Sequence, residues 1–229
     1  MNKQIKGPHQ GQPVLTAGES LDPDFPLNKT IRKIGAMVMV HGRGASAESI
    51  LTLADEFDQP GFAYLAPQAA GGTWYPNRFL APTASNEPWL SSALAAVDQV
   101  VAKVVATGIP HERIMILGFS QGACLALEYA ARHARRYGGI VGLSGGLIGA
   151  DDEPRHDSGN FAGTPIFLGC SEVDFHIPQQ RVQQAADTLK ALGGNVTMRL
   201  YPNMDHTVNQ DEIEFVRNMM AALAATRQV

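Results

Sequence analysis

The chain has 229 residues, of which 45% are hydrophobic and 17% are charged. This length and composition allow one sizeable buried core and exclude disorder as the main state. Lys and Arg total 18 against 22 Asp and Glu, so the net charge is −4. A mildly acidic chain lacks the basic surface that a nucleic-acid partner requires, so no nucleic-acid partner is predicted.

The apolar runs are broken by Gly, Ser or charged residues before they reach the roughly 18 residues that a membrane span requires. Residues 1–13 have no apolar stretch typical of a secretory leader. We therefore expect a soluble, cytoplasmic chain without a membrane span. Cys124 and Cys170 are too few for a disulfide framework and are not spaced as a zinc pair, so both are predicted to be reduced and buried.

From about residue 36 onwards, short apolar runs alternate with stretches of helical periodicity, which is typical of parallel strands joined by crossover helices. Residues 1–30 are polar, and they are predicted to hold an edge strand at 14–17 and a lead-in to a single domain over 31–229. The further predicted strands are 36–40, 62–67, 113–119, 138–144, 164–170 and 195–201. The predicted helices are 46–58, 87–106, 121–136, 179–192 and 210–226.

Two helix boundaries and two long connections carry local signals. Asn86 precedes Glu87 and Pro88, which predicts an N-cap for the second helix, and Gly193 predicts the end of the fourth. The connections 67–86 and 145–164 are long, and long loops in compact domains are often functional.

The pattern G-x-S-x-G occurs twice, around Ser120 and around Ser144. A nucleophile elbow needs a strand that ends in a sharp turn and is followed at once by a helix. Ser120 has an apolar strand before it and a long helical pattern after it. Ser144 is followed by a segment rich in Gly and Pro, so we predict a loop or structural role for Ser144.

A nucleophilic serine needs a histidine base and a carboxylate that orients the base. In the order Ser, acid, His, each residue follows the carboxyl end of a later strand. Asp174 follows the strand 164–170 and His206 follows the strand 195–201, so these two are predicted as partners of Ser120. Glu172 is the alternative acid, although it is two residues closer to the strand end.

The sequence HGRG at 41–44 comes directly after the strand 36–40. Glycines at a strand end let a backbone amide turn towards a pocket, so the amides of Arg43 and Gln121 are predicted to form an oxyanion hole. His41 is predicted to be a scaffold residue. His176 either lines the mouth of the site or is an ordinary loop histidine, and the remaining histidines are predicted at the surface: His9, His111, His133 and His156.

The combination of HGRG, GFSQG at 118–122, an acid after TPIFLGC and a histidine in NMDHT resembles the phospholipase/carboxylesterase branch of the α/β-hydrolases, which includes acyl-protein thioesterases. The resemblance covers about residues 34–226. It implies an α/β-hydrolase fold, with a mostly parallel central sheet, helices on both faces and no large cap domain.

The resemblance also implies a catalytic triad of Ser120, Asp174 and His206, with neither cofactor nor metal. Relatives carry a tryptophan loop beside the substrate where this chain has Trp74, so Trp74, Tyr75 and Phe79 are expected to shape the pocket; ordinary loop packing is the alternative. Thioesterase members tend to have an apolar residue at the position of Arg43, which raises the prospect of a polar or anionic substrate.

The predicted function is a serine carboxylesterase that hydrolyses small or medium esters through an acyl-enzyme. A lysophospholipase or acyl-thioesterase acting on long chains would use the same triad. An acyltransferase and a binding protein without catalysis are further alternatives. Relatives often dimerise, so a homodimer is a candidate assembly.

Overall fold

Seven strands form one sheet in the computed structural model, which describes residues 7–21 and 34–226. The strands are β1 (Val14–Gly18), β2 (Gly35–Val40), β3 (Phe62–Pro67), β4 (Ile114–Phe119), β5 (Gly139–Leu143), β6 (Pro165–Ser171) and β7 (Asn195–Tyr201). Their order across the sheet is β1-β3-β2-β4-β5-β6-β7. The β1 strand is antiparallel to β3 at one edge, and all other neighbours are parallel.

Five α-helices cover the two faces of this sheet, as the apolar character of the strands predicts. They are α1 (Ala47–Phe57), α2 (Trp89–Ala106), α3 (Gln121–Arg132), α4 (Gln179–Ala191) and α5 (Gln210–Ala225). The helices α1 and α5 pack on one face, and α2, α3 and α4 pack on the other. Along β2, Met37 and Met39 face the first group while Val38 and Val40 face the second, because alternate side chains point to opposite faces.

The predicted elements are all present within the described residues, with boundaries that differ by a few residues. The clearest difference is at the end of α3, which stops at Arg132 rather than at residue 136. The chain turns there because Ala134 forms a parallel bridge with Gly159, and the Ala134 N–H donates to Ser158 O at 3.0 Å. The predicted lead-in lies partly outside the described residues, so the division into 1–30 and 31–229 stays a prediction.

The predicted N-cap of α2 is wrong. Asn86 is fully buried, and its side chain accepts the Asn77 N–H at 2.8 Å and donates to Arg78 O at 3.4 Å. In the first turn of α2, the Glu87 carboxylate instead accepts a hydrogen bond from the Ser91 N–H at 3.0 Å. Asn86 therefore stabilises the preceding loop rather than the helix. The predicted end of α4 is confirmed, since Gly193 adopts φ +82° and its N–H bonds to Lys190 O.

One helix of the described ranges, α2, has the length and apolar composition of a membrane span. Seven of its residues are buried in the core that it forms with the sheet: Leu90, Ala93, Leu94, Val97, Val100, Val101 and Val104. Core helices of α/β folds commonly have this composition, so packing on the sheet accounts for the apolar face of α2.

The helix α5 begins with a capping box that includes a buried carboxylate. Glu212 is fully buried, and its side chain accepts the Asn209 N–H while the Asn209 side chain accepts the Glu212 N–H, both at 2.9 Å. The second carboxylate oxygen has no hydrogen-bond partner among the described residues and lies against Gly169. Burial raises the pKa of Glu212 to about 7.

Replacing Glu212 by Gln keeps the capping acceptor and removes the ionisation. The pKa of Glu212 is higher in the folded protein than its ordinary value of 4.5. Below pH 4.5 the carboxyl is therefore neutral in both states and does not lower the stability of the wild-type protein. As the pH rises from 4.5 towards 7, the unfolded chain ionises more readily and the wild-type protein loses stability. Relative to wild type, the unfolding free energy of Glu212→Gln should rise by about 3 kcal/mol across that window and then level off. Urea unfolding at a series of pH values measures the difference, and parallel profiles for the two proteins would contradict it.

Candidate active site

Ser120 lies at the turn between β4 and α3, in a conformation that few side chains adopt. Its φ is 56° and its ψ is −120°, whereas non-glycine residues strongly prefer negative φ. The turn is held on both sides, because the Ser120 N–H donates to Leu143 O at 2.9 Å and Ser120 O accepts the Cys124 N–H at 3.0 Å. The strand-turn-helix context predicted for the first G-x-S-x-G motif is therefore present.

The two glycines of this motif are required by close backbone contacts. A Cβ on Gly118 would lie 2.2 Å from Gly122 O, and a Cβ on Gly122 would lie 2.1 Å from Val40 O. Both distances are far below van der Waals contact, and backbone atoms cannot move aside as a flexible side chain would. The first turn of α3 can therefore cross the ends of β2 and β4 only with glycine at both positions.

Ser120, His206 and Asp174 are joined by two hydrogen bonds. His206 Nε2 lies 2.8 Å from Ser120 Oγ, and His206 Nδ1 lies 2.7 Å from Asp174 Oδ2. Asp174 follows β6 and His206 follows β7, so the carboxyl ends of three parallel strands bring the residues to one edge of the sheet. With an ionised Asp174, Nδ1 carries the proton and Nε2 is free to accept the proton of the serine hydroxyl.

The Asp174 carboxylate is fixed by the loop in which it lies. Its second oxygen accepts the N–H of His176 at 2.8 Å and the N–H of Ile177 at 3.1 Å. Burial alone would raise the pKa of Asp174, but the hydrogen bonds from His206 and from these two amides hold the pKa below its ordinary value. Glu172, the alternative acid, is exposed, and of the two acids only Asp174 hydrogen-bonds the imidazole.

The ring of His206 is flanked by two other rings. The Phe119 ring lies 5.1 Å away and the His176 ring 4.9 Å away, the latter edge-on. The Ser171 hydroxyl donates to Met204 O at 2.5 Å and ties the His206 loop to β6. Of the two readings of His176, its contact with His206 and its exposure favour a position at the mouth of the site.

Two backbone amides beside Ser120 are without hydrogen-bond partners. Gly42 brings the segment after β2 against the serine, since a Cβ on Gly42 would lie 3.4 Å from Ser120 Cβ. The next amide is that of Arg43, and the amide after the serine is the first of α3, which has no acceptor inside the helix. Within the described ranges neither the Arg43 N–H nor the Gln121 N–H donates a hydrogen bond.

The side chain of Gln121 has a role that the sequence did not indicate. Its oxygen accepts the Trp74 N–H at 3.0 Å, and its amide group donates to Tyr75 O at 2.8 Å. Gln121 therefore fixes the 67–86 loop to the start of α3. The sequence predicted only that Gln121 lies next to the serine. It did not predict these hydrogen bonds, because both partners lie more than 40 residues away in the chain.

Of the two alternatives for Trp74, shaping the pocket or ordinary loop packing, the structure favours loop packing, because Trp74 is fully buried and does not line the cavity beside Ser120. Its indole N–H donates to His41 O at 2.8 Å, and its ring lies 5.0 Å from the His41 ring. His41 Nε2 accepts the Ala69 N–H at 3.1 Å, and burial lowers the pKa of His41. Trp74 and His41 thus support the loop from inside.

His9 was predicted at the surface, which is wrong. It is only 3% exposed and lies between the rings of Trp74 and Trp89. His9 Nε2 lies 2.8 Å from Trp74 O, and Nδ1 accepts the Ala70 N–H at 3.1 Å. Burial lowers the pKa of His9. The polar segment around it folds back onto the loop, a long-range contact that its local sequence does not reveal.

The other predicted surface histidines differ in exposure: His156 is exposed, and His111 and His133 are half-buried. Both cysteines are buried and free, as predicted. Ser144 is fully buried directly after β5, where its N–H donates to Gly169 O at 2.7 Å, and the residues that follow it at once are not helical. This agrees with the structural role predicted for Ser144.

A cavity of about 340 Å³ opens beside Ser120 and His206. Of the residues expected to shape a pocket, Tyr75, Phe79 and His176 line this cavity. Arg78 also lines it and was not singled out from the sequence, where only its place in a long loop was a signal. The remaining lining residues are Arg43, Pro76, Asn77, Gln121, Cys124 and Ile177. A larger cavity of about 450 Å³ elsewhere contains none of Ser120, Asp174 and His206.

The guanidinium of Arg43 is held by the loop that forms one wall of the cavity. It donates to Tyr75 O at 2.9 Å, to Pro76 O at 3.0 Å and to Asn77 O at 2.8 Å. These three consecutive carbonyls fix the side chain in place. Arg43 therefore contributes both a free backbone amide and an oriented cation to the site.

The phospholipase/carboxylesterase family model matches residues 28–224, which is most of the chain. The chain belongs to the phospholipase/carboxylesterase family. The fold is accordingly an α/β-hydrolase fold, and the described residues contain no large cap domain. A phospholipase/carboxylesterase from Dyadobacter fermentans is 41% identical; the match covers 92% of this chain and 96% of that chain, with a TM-score of 0.84.

Two fungal relatives are acyl-protein thioesterases. Acyl-protein thioesterase 1 of Gibberella zeae is 32% identical over 121 residues, and the match covers 51% of this chain and 51% of that protein. The same-named protein of Eremothecium gossypii is 27% identical over 215 residues, with 84% and 91% covered. The chain thus aligns with about half the length of the first relative and with most of the second.

Proposed function

We propose that this family member is a serine hydrolase that cleaves carboxylic esters through an acyl-enzyme. The observation that carries the proposal is the hydrogen-bonded series of Ser120, His206 and Asp174 beside an open cavity. A serine hydroxyl becomes an effective nucleophile only when a base accepts its proton, and this series supplies the base and its orienting carboxylate.

In the first half of the reaction, Ser120 Oγ attacks the ester carbonyl carbon while His206 Nε2 takes the hydroxyl proton. Asp174 stays ionised and stabilises the imidazolium. The amides of Arg43 and Gln121 donate to the oxygen that becomes negative, which stabilises the tetrahedral intermediate. When the intermediate collapses, His206 gives the proton to the leaving alcohol and the acyl group stays on Ser120.

In the second half, water replaces the alcohol. His206 takes a proton from water as the water oxygen attacks the acyl carbon, and the same two amides stabilise the second intermediate. Its collapse releases the carboxylic acid, and His206 returns a proton to Ser120 Oγ. The hydrogen bonds that join Ser120, His206 and Asp174 are then restored.

The size of the cavity favours small or medium esters. Tyr75 and Phe79 are buried aromatic side chains in its wall.

Cys124 is a buried thiol in the same wall. Burial raises the pKa of Cys124 to about 12, so this thiol stays protonated and does not compete as a nucleophile.

Hydrolysis of long-chain esters or thioesters is the second candidate, and the names of the two fungal relatives favour it. The same three residues would carry out either reaction. An acyltransferase and a non-catalytic binding protein remain the less favoured alternatives; a binding protein does not need Ser120, His206 and Asp174 joined in series. The cytoplasm and a homodimer stay the predicted compartment and assembly.

Replacing Ser120 by Ala should lower kcat for a nitrophenyl ester by about 10⁴-fold to 10⁶-fold, because the nucleophile is lost while the oxyanion amides remain. Ser144→Ala is the matched control, since it removes a hydroxyl from the second G-x-S-x-G motif. Its activity should stay within a few-fold of wild type, with both variants checked for folding by circular dichroism. Loss of activity in Ser144→Ala alone would show that the wrong elbow was chosen.

Acyl-chain preference separates the two candidates. We expect kcat/KM for nitrophenyl esters to peak at roughly two to six acyl carbons, because a cavity of about 340 Å³ has room for few further methylenes. A steady rise up to palmitoyl would instead favour a long-chain lysophospholipase or thioesterase. Rates in the Ser120→Ala protein give the background for each ester.

A further inference from the structure

The cavity beside Ser120 has a charge opposite to that of the whole chain. The chain carries a net charge of −4, yet the described side chains that line this cavity include Arg43 and Arg78 and no Asp or Glu. Asp174 lies behind His206, with its side chain fully buried. A molecule that enters the cavity therefore meets two cations and no exposed carboxylate.

The positive charge of Arg43 is oriented but not neutralised. Its three partners among the described residues are backbone carbonyls, which carry only partial charges, and they use three of its five N–H donors. Two donors remain on a guanidinium that is exposed at the cavity. Because the carbonyls hold it in place, little side-chain entropy would be lost when it binds an anion.

Arg78 lies further along the same loop, and its side chain forms no ion pair with any described carboxylate. Its backbone carbonyl is anchored by the Ala81 N–H at 3.1 Å and by the Asn86 side chain. Four other arginines of the described residues have acidic partners, namely Arg132, Arg155, Arg181 and Arg199, whereas Arg43 and Arg78 have none. The two arginines at the cavity are thus available for a ligand.

We propose that the substrate of this site is an ester that carries a carboxylate, which Arg43 and Arg78 bind. The planar guanidinium matches a carboxylate in shape, and hydrogen bonds between charged partners are stronger than neutral ones. This inference rests on the proposed esterase function and names its substrate class. The reaction itself is unchanged: the carboxylate selects the substrate and takes no part in bond breaking.

The test compares kcat/KM for pairs of esters that differ only in charge. One pair carries the charge in the acyl part: nitrophenyl hydrogen adipate and nitrophenyl methyl adipate. The second pair carries it in the alcohol part: para-acetoxyphenylacetate and its methyl ester. In at least one pair, wild type should prefer the anionic ester by about tenfold or more, the factor expected for hydrogen bonds to a charged group.

The decisive variant is Arg78→Gln, since the Arg78 side chain makes no hydrogen bond to any described residue of the loop. It should reduce the ratio of anionic to neutral kcat/KM by about tenfold. Arg43→Gln should reduce the ratio as well. Arg136→Gln is the matched control because Arg136 is also exposed and bonds a backbone carbonyl, Ala162 O, but lies far from the cavity; its ratio should equal that of wild type.

Added salt gives an independent readout. The preference of wild type should weaken as salt rises, because exposed charges are screened beyond about 8 Å at physiological ionic strength. Equal kcat/KM within both pairs, or a preference that survives in Arg78→Gln and Arg43→Gln, would overturn the inference while leaving the esterase in place. No turnover of either neutral ester above the Ser120→Ala background would instead overturn the proposed function.

Discussion

The close crossing of the first turn of α3 over the ends of β2 and β4 is the constraint on which the site depends. Gly118 and Gly122 allow backbone atoms to approach where any side chain would collide with a carbonyl. Ser120 between them is forced into positive φ, which costs free energy that the surrounding sheet must supply. This conformation places Ser120 Oγ 2.8 Å from Nε2 of His206, which follows β7.

The same crossing explains why the loop that shapes the cavity can be long and still well defined. Gln121, the first residue of α3, hydrogen-bonds the backbone at Trp74 and Tyr75. Trp74 and His41 pack behind this point, and His9 covers them from the other side. Buried side chains thus hydrogen-bond the loop backbone, in addition to the turns that the loop forms itself. Such support of a site by a buried outer layer keeps its geometry fixed before substrate arrives.

The arginine at 43 connects the two halves of this arrangement. Its amide lies beside the serine, and its side chain binds three carbonyls of the loop. A residue that joins the strand end to the cavity wall in this way couples the proposed oxyanion site to the proposed substrate site. An apolar residue at this position would leave the three carbonyls without these donors.

Much of this structure was readable from the sequence, because the relevant signals are local. Continuous apolar strands predict a sheet that is covered on both faces. The end of each predicted strand also marks where a catalytic residue can follow, and this placement predicted Ser120, Asp174 and His206. The predictions for His9 and Asn86 were wrong because their partners are distant in sequence, and the two alternatives for Trp74 stayed open for the same reason. Asn86 looks like a helix cap locally, yet its side chain bonds the backbone of Asn77 and Arg78. Tertiary hydrogen bonds of this kind override local propensity.

The strained serine of the first motif is the proposed nucleophile. Labelling the protein with a fluorophosphonate and mapping the adduct by mass spectrometry of its peptides tests this most directly. We predict one adduct per chain, on Ser120, formed much more slowly when His206 is replaced by Gln. An adduct on Ser144, or no adduct on a folded protein, would contradict it.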